Sequence, residues 1–173
     1  GGKLKAGQRV LIHNASGGVG SFAVQIAKAL GAYVIGTASS AKEDFVRALG
    51  VDEFIDYRSY RFEEVVEDVD MVLAAVGGDD ILERSLKVIK RDGTLISLLD
   101  DMDQAKAVSK NIHFQRWWVN PNANDLSQIA NMIDAGQINV HLEKVFPLAQ
   151  IKQAHELSQS KRASGKIVLQ VCD

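Results

Sequence analysis

The chain has 173 residues, of which 46% are hydrophobic and 24% charged, enough to bury the core of one ordinary globular domain. Its 22 acidic and 20 basic residues are interspersed and leave a net charge of −2, so a small molecule is a more natural partner than nucleic acid or a membrane surface. One cysteine, and neither a signal peptide nor a long apolar run, favour a cytoplasmic setting.

No metal site is expected, because the histidines lack the spacing of metal ligands. Each is better explained as a surface or hydrogen-bonded side chain. The four are His13, His113, His141 and His155.

The first predicted element is a strand over residues 10–12, a short apolar run between Gly7 and Asn14 that is typical of a strand buried on both faces. An amphipathic helix follows directly and ends at Gly31. The apolar residues expected to face the sheet recur at spacings of three and four: Val19, Phe22, Ala23, Ile26, Ala27 and Leu30.

Between this strand and helix lies ASGGVG, which is the phosphate-binding pattern G-x-G-x-x-G with alanine in the first glycine position. In this pattern Gly17 lets the backbone approach a pyrophosphate, and Gly20 lets the helix pack closely on the strand. Free amides and the positive end of the helix dipole then face the phosphates. The predicted cofactor-binding residues here are Ala15, Ser16, Gly17, Gly18, Val19 and Gly20.

The rest of the chain alternates strands with helices. Further strands are predicted at residues 33–38, 53–56, 70–76, 94–99, 112–119 and 165–171, with a brief extended piece near 138–145. Helices are predicted from Ser40 (a capping box with Glu43), near 62–66, from Asp79 to Ile89, within 100–110, over 124–135 and from Pro147 to Leu157. This alternation predicts an α/β fold with a doubly wound parallel sheet, the Rossmann fold, in strand order 3-2-1-4-5-6.

The second strand indicates which nucleotide is bound. An NAD site carries an acidic residue about 20 residues beyond the glycine motif, for the ribose 2′-hydroxyl. This chain has Thr37, Ala38, Ser39 and Ser40 there, followed by Lys42, which suit a 2′-phosphate and predict NADPH rather than NADH. Alternatively, the serines only cap a helix and Lys42 is a solvated charge. Tyr57 follows the third strand, where it would lie beside the adenosine or on the open surface.

Several stretches together resemble the nucleotide-binding half of zinc-independent quinone oxidoreductases of the medium-chain dehydrogenase/reductase superfamily, in which alanine commonly leads the motif. The stretches are QRVLIHNASGGVG (8–20), ALGVD (48–52), IDYR (55–58), AVGG (75–78) and GKIVL (165–169). The resemblance implies an enzyme that passes hydride from NADPH to a quinone or an α,β-unsaturated carbonyl compound, and that forms homodimers through edge strands.

The resemblance also implies a division of the chain. Residues 1–146 would be the NAD(P)-binding domain, and residues 147–173 a helix and strand that return toward an N-terminal, GroES-like catalytic domain absent from this sequence. This chain alone would then bind cofactor and be inactive, because much of the substrate pocket is missing. Two alternatives stay open: a zinc-dependent alcohol dehydrogenase of the same superfamily, and a module that binds NADPH without turnover.

Site residues carried over from the family fall into three groups. Ser16 to Val19 would hold the pyrophosphate; Ser39, Ser40, Lys42 and Tyr57 the 2′-phosphate end; and Val76, Ser97 and Leu98 the nicotinamide. Alternatively, Val76 and Leu98 are core residues at strand ends, and Ser97 is a buried hydroxyl with a hydrogen-bond partner. No catalytic acid is identified, since Asp79 and Asp80 are better explained as helix caps.

Overall fold

A computed structural model describes residues 2–78 and 80–172, so the predicted cap at Asp79 lies outside the described residues. Six parallel strands form one sheet in the order β3-β2-β1-β4-β5-β6, which confirms the predicted Rossmann topology. The strands are β1 (Arg9–His13), β2 (Tyr33–Ala38), β3 (Glu53–Asp56), β4 (Val69–Ala74), β5 (Ile89–Ser97) and β6 (His113–Arg116).

Helices and 3-10 turns connect these strands or follow the last of them, and two buried apolar clusters form the core of the sheet domain. The helices are α1 (Gly20–Ala29), α2 (Glu43–Ala48), α3 (Ile81–Ser85), α4 (Gln104–Val108), α5 (Ala123–Asp134) and α6 (Ile151–Gln159), with 3-10 turns at Ser40–Lys42, Phe62–Glu64 and Leu148–Gln150. In the part of the chain that the structure describes, none of the helices has the length and apolar character needed to span a bilayer.

Strand β1 lies at the centre of the core. Val10 and Ile12 pack in one buried apolar cluster, and Leu11 packs in the other. All three side chains are at most 2% exposed. Burial of each such side chain contributes about 1.5–3 kcal/mol, which explains why a strand covered on both faces is an unbroken apolar run.

The predicted buried face of α1 is partly wrong. Val19 and Leu30 are 52% and 48% exposed. Ala27 is buried as predicted, and Phe22, Ala23 and Ile26 are half-buried. The other buried residues, which were not predicted, are Gly20, Ser21, Val24 and Gln25. Gln25 can be buried because its amide is satisfied: it donates to the carbonyls of Ser21 and Asn139, at 3.0 and 3.1 Å, and accepts the Asn139 N–H at 2.7 Å.

Helix α3 is shorter than predicted, because it ends at Ser85 and Ile89 already begins β5. Ile89 pairs with Val69, whereas the next register pair joins Thr94 to Met71, so residues 90–93 loop out of the ladder. The N-cap of α3 is Asp80, in the left-handed region (φ 51°), and its side chain makes no capping hydrogen bond. The capping role predicted for Asp80 is therefore wrong.

Three strands of the large sheet end earlier than predicted. Strand β4 stops at Ala74, before the predicted residue 76, and β5 stops at Ser97, before the predicted residue 99. Strand β6 stops at Arg116, before the predicted residue 119, and beyond Trp117 the side chains of Trp118 and Val119 are 70% and 83% exposed. An apolar run can continue past the last ladder hydrogen bond, so composition alone overestimates these strands.

A second, two-stranded parallel sheet forms near the carboxyl terminus from β7 (Leu142–Pro147) and β8 (Lys166–Gln170). Pro147 therefore ends a strand, and it is also the N-cap of the 3-10 turn Leu148–Gln150, which leads directly into α6 at Ile151. The helical segment thus starts beside the predicted residue, although its first turn is not α-helical. Because β7 pairs with β8, the small sheet spans the predicted domain boundary at residues 146 and 147. That division of the chain stays a prediction.

Candidate functional site

The glycine motif forms the turn from β1 into α1. Asn14 begins the turn in the left-handed region, at φ 55°. The Ala15 amide donates to the Thr37 carbonyl of the neighbouring strand at 2.9 Å, and Ala15 is fully buried. Gly36 makes room for it, since a Cβ added there would lie 3.1 Å from the Ala15 Cβ. The alanine in the first motif position is thus part of the packing between β1, β2 and the turn.

Gly17 and Gly20 of the motif have different neighbours. A Cβ added at Gly20 would overlap the carbonyl of Asn14, so the start of α1 packs directly on the end of β1. A Cβ added at Gly17 would lie 2.6 Å from the Asn14 amide nitrogen Nδ2, which belongs to a side chain that can rotate. The close contact with the Asn14 backbone allows only glycine at position 20. A larger residue at position 17 would require only that the Asn14 side chain move.

The start of α1 has the features of an anion-binding site. Val19 occupies the N-cap and forms no side-chain cap, and the first turn carries no acidic residue. Within residues 2–78 and 80–172, the amides of Gly17 and Ser21 have backbone acceptors, whereas those of Gly18, Val19 and Gly20 have none. Three free amides at the positive end of a ten-residue helix fit a pyrophosphate.

A lysine that sequence reasoning did not single out lies beside this turn. The Gly165 amide donates to the Ser16 carbonyl at 3.0 Å, which brings β8 against the motif. The Lys166 Nζ then lies 3.3 Å from the position of a Cβ on Gly18, and 5.4 Å from the ring centre of Phe22. Lys166 therefore places a positive charge next to the free amides. The position of Lys166 follows only from the contact between β8 and the glycine motif, which are far apart in the sequence.

The residues predicted for the 2′-phosphate lie together, at the carboxyl ends of β2 and β3. The Tyr57 amide donates to the Ala38 carbonyl at 3.2 Å, which joins the two loops. Ser40 lies inside the 3-10 turn Ser40–Lys42 and Lys42 is the N-cap of α2, so the predicted capping box of Ser40 and Glu43 is wrong. Ser39 and Lys42 are half-buried, and Tyr57 is 57% exposed. The loops that carry these side chains are thus partly open to solvent.

Asp56, the last residue of β3, holds the start of the loop that follows this strand. Its carboxylate accepts hydrogen bonds from the Arg58 amide at 3.0 Å and the Ser59 hydroxyl at 2.8 Å. These bonds, with a smaller contribution from nearby Ser40, hold the pKa of Asp56 below its usual value. Ser40 itself is exposed, and its role at the 2′-phosphate stays a prediction.

Arg58 adds a positive charge that the sequence prediction omitted. Its guanidinium lies 5.7 Å from the ring centre of Tyr57, and both side chains are exposed. Arg58 and Lys42 therefore bring two cations to the two loops that are predicted to hold the 2′-phosphate. The residue pair YR was part of the family resemblance, but its arginine had no assigned role.

The residues predicted for the nicotinamide follow the ends of β4 and β5. Val76 and Leu98 are half-buried, and the Leu98 amide donates to the Ala74 carbonyl at 3.1 Å. Ser97 is fully buried, and its Oγ accepts the Asp100 amide at 3.1 Å. The structure thus brings the three residues to one edge of the sheet. The Ser97 side chain fits the alternative of a satisfied buried hydroxyl.

His13 lies beneath this edge, in the core. Its Nδ1 is 3.3 Å from the Thr37 hydroxyl and its Nε2 is 3.4 Å from the Ser85 hydroxyl, and the ring packs on Phe62 at 4.5 Å between centres. Burial, and to a lesser degree the charge of Arg84, lowers the pKa of His13 to about 3. His13 is therefore a neutral, hydrogen-bonded core residue. Among the described residues no three His, Cys, Asp or Glu side chains group as a metal site would require.

Comparisons with known proteins find relatives that match most of the chain. A profile of the family described as zinc-binding dehydrogenase matches residues 49–169. The mitochondrial NAD(P)H oxidoreductase RTN4IP1 of Danio rerio is 30% identical over 194 residues, covering 97% of this chain and 50% of that protein. The chloroplastic NADPH-dependent alkenal/one oxidoreductase of Arabidopsis thaliana is 29% identical over 171 residues, covering 96% of this chain and 42% of that protein.

The fold comparison agrees. The quinone oxidoreductase from Coxiella burnetii superposes with a TM-score of 0.91 at 29% identity, covering 99% of this chain and 55% of that one. This chain spans about half the length of the relatives it matches. The family profile covers well over half of its residues. The chain therefore belongs to the zinc-binding dehydrogenase family of the medium-chain dehydrogenase/reductase superfamily, whose quinone and alkenal oxidoreductases it resembles.

Proposed function

We propose that this chain is the NADPH-binding part of a zinc-independent oxidoreductase that transfers hydride to a quinone or an α,β-unsaturated carbonyl compound. The observation that carries the proposal is the uncapped start of α1, where three free amides and Lys166 surround a turn that Gly20 holds against β1. The names of the relatives, an NAD(P)H oxidoreductase, an NADPH-dependent alkenal oxidoreductase and a quinone oxidoreductase, support the reaction class.

The residues of this chain would bind and orient the cofactor. The α1 amides and Lys166 hold the pyrophosphate, Lys42 and Arg58 flank the 2′-phosphate, and the loops after β4 and β5 hold the nicotinamide. The cofactor supplies the hydride chemistry when it is bound. The acceptor would lie between this chain and the preceding catalytic domain of a longer protein, so the chain alone is expected to bind NADPH without turnover.

Direct titration tests this proposal. Fluorescence titration of this chain should give a lower dissociation constant for NADPH than for NADH. In the longer protein, NADPH consumption should depend on an added quinone or enal. Equal or tighter binding of NADH would overturn the 2′-phosphate assignment, and binding of neither would overturn the cofactor site.

Two alternatives make different predictions for the longer protein. The description of the family as zinc-binding leaves a zinc-dependent alcohol dehydrogenase as the first alternative. Such an enzyme would contain stoichiometric zinc and oxidise alcohols. A non-catalytic NADPH-binding module would bind the cofactor tightly and consume none with any acceptor. Metal analysis together with the acceptor assay separates all three.

Two lysines are expected to bind different phosphate groups of the cofactor. We expect Lys166→Ala to weaken NADPH and NADH alike by about tenfold, because both carry the pyrophosphate and a charge-assisted hydrogen bond is lost. Lys42→Ala should weaken NADPH by about fivefold and leave NADH unchanged, since only NADPH has a 2′-phosphate. Lys152→Ala, on the exposed face of α6, serves as the matched control. The reverse pattern would exchange the two assignments, and no effect from either would remove both.

A homodimer joined through β6 is part of the proposal. Strand β6 is at one edge of the sheet and has only four residues. It leads into the exposed side chains of Trp118 and Val119, which a partner could cover. Sedimentation of the longer protein would show its mass in solution, and a monomer would refute this part.

A further inference from the structure

One side chain links the two loops that follow β4 and β5. The Asp100 carboxylate accepts the Gly78 amide at 2.7 Å, and the Asp100 amide donates to the Ser97 hydroxyl at 3.1 Å. A Cβ added at Gly77 would lie 2.6 to 2.9 Å from the atoms of this carboxyl group, so the carboxylate lies flat against the backbone. The glycine pair after β4 is therefore needed for Asp100 to come this close.

This link lies where the proposed function puts the nicotinamide. Val76 directly precedes Gly77, and Leu98 is two residues before Asp100. Both residues sit in the loops that the carboxylate joins, and parallel strands bind their ligands at this edge. The following inference rests on the proposed function.

We propose that Asp100 is a positioning residue, which holds the two nicotinamide-binding loops together and places a negative charge beside the ring, favouring the oxidised cofactor. The ring of NADP⁺ carries a positive charge that the ring of NADPH lacks. A carboxylate nearby therefore stabilises bound NADP⁺ more than bound NADPH.

The surroundings do not neutralise this charge. The open cleft between the two loops is lined by five acidic side chains and two basic ones. Among the described residues neither basic side chain forms an ion pair with Asp100: Lys106 pairs with Glu83, and Arg116 stacks over the Trp118 ring at 4.1 Å. Asp100 belongs to the loop after β5 and is bonded to Ser97 at the end of that strand, while its carboxylate accepts the Gly78 amide of the loop after β4.

Binding measurements with three ligands test the inference without requiring turnover. The ligands are NADPH, NADP⁺ and 2′-phospho-ADP-ribose, which lacks the nicotinamide. Asp100→Asn keeps an oxygen acceptor for the Gly78 amide but removes the charge, so the dissociation constant for NADP⁺ relative to that for NADPH should rise about fivefold. Asp100→Ala removes both and should weaken both dinucleotides by about tenfold. Neither variant should change binding of 2′-phospho-ADP-ribose.

Asp101→Asn is the matched control, since Asp101 carries the same charge next in sequence and, within residues 2–78 and 80–172, its carboxylate bonds to the Met102 amide alone. Its NADP⁺ to NADPH ratio should stay within about twofold of wild type. An unchanged ratio in Asp100→Asn, an equal shift in Asp101→Asn, or an equal loss of 2′-phospho-ADP-ribose would each overturn the role of Asp100. If wild type binds neither dinucleotide, the proposed function fails instead.

Discussion

Gly20→Ala should destabilise the chain by about 3 kcal/mol and abolish NADPH binding, the largest effect expected of any single methyl group added to the phosphate turn. The added Cβ would overlap the main-chain carbonyl of Asn14. A backbone carbonyl at the end of β1 cannot rotate away, so α1 must move off the strand. Its free amides would then no longer converge on the pyrophosphate.

Urea unfolding followed by circular dichroism measures this loss, with the m-value checked for constancy. Gly17→Ala is the comparison, because its Cβ meets the rotatable Asn14 side chain. That variant should lose no more than about 1 kcal/mol of unfolding free energy. Equal unfolding midpoints for Gly20→Ala and wild type would contradict the close packing of helix on strand.

His13 should make the chain lose about 1.6 kcal/mol of stability between pH 6.5 and pH 5. In the folded chain the pKa of His13 is about 3, so the ring stays neutral throughout this range. In the unfolded chain it titrates near its ordinary value of 6.5. The unfolded state therefore binds more protons below pH 6.5, and stability falls as the pH falls toward 3.

His13→Gln should flatten this part of the stability curve, whatever its effect at pH 7. The exposed His155, replaced by glutamine, is the matched control and should leave the slope as in wild type. Glu63, whose pKa of about 2 reflects its hydrogen bonds to Arg84, adds acid sensitivity only below pH 4.5. An unchanged slope in His13→Gln between pH 6.5 and 5 would show that another group carries the effect.

The local features of this fold could be predicted from the sequence because single segments encode them. The apolar run before Asn14, the glycines and the amphipathic residues after them identify β1, the turn and α1. The right-handed crossover rule then gives the strand order. These predictions need no knowledge of contacts between distant segments.

The errors arose where distant segments decide. Leu86 and Ile89 have a spacing that suits a helix face, yet pairing with Val69 makes Ile89 the start of β5. The pair Ser40 and Glu43 resembles a capping box, but Ser40 lies inside a 3-10 turn and Lys42 is the N-cap of α2. Sequence periodicity shows neither the strand pairing nor this turn.

The candidate site divides in the same way. The glycine motif and the serines after β2 were predictable from spacing, and the structure places them at one edge of the sheet. Lys166 was not, because its position beside Gly18 depends on the bond from Gly165 to Ser16. The assignments to NADPH itself stay predictions until ligands are titrated.

The bond from Gly165 to Ser16 has a consequence for biosynthesis. The phosphate turn is translated before the strand that lies against it. On the ribosome the turn therefore lacks this contact until residue 165 has left the exit tunnel. The proposed cofactor site is complete only after β8 has docked.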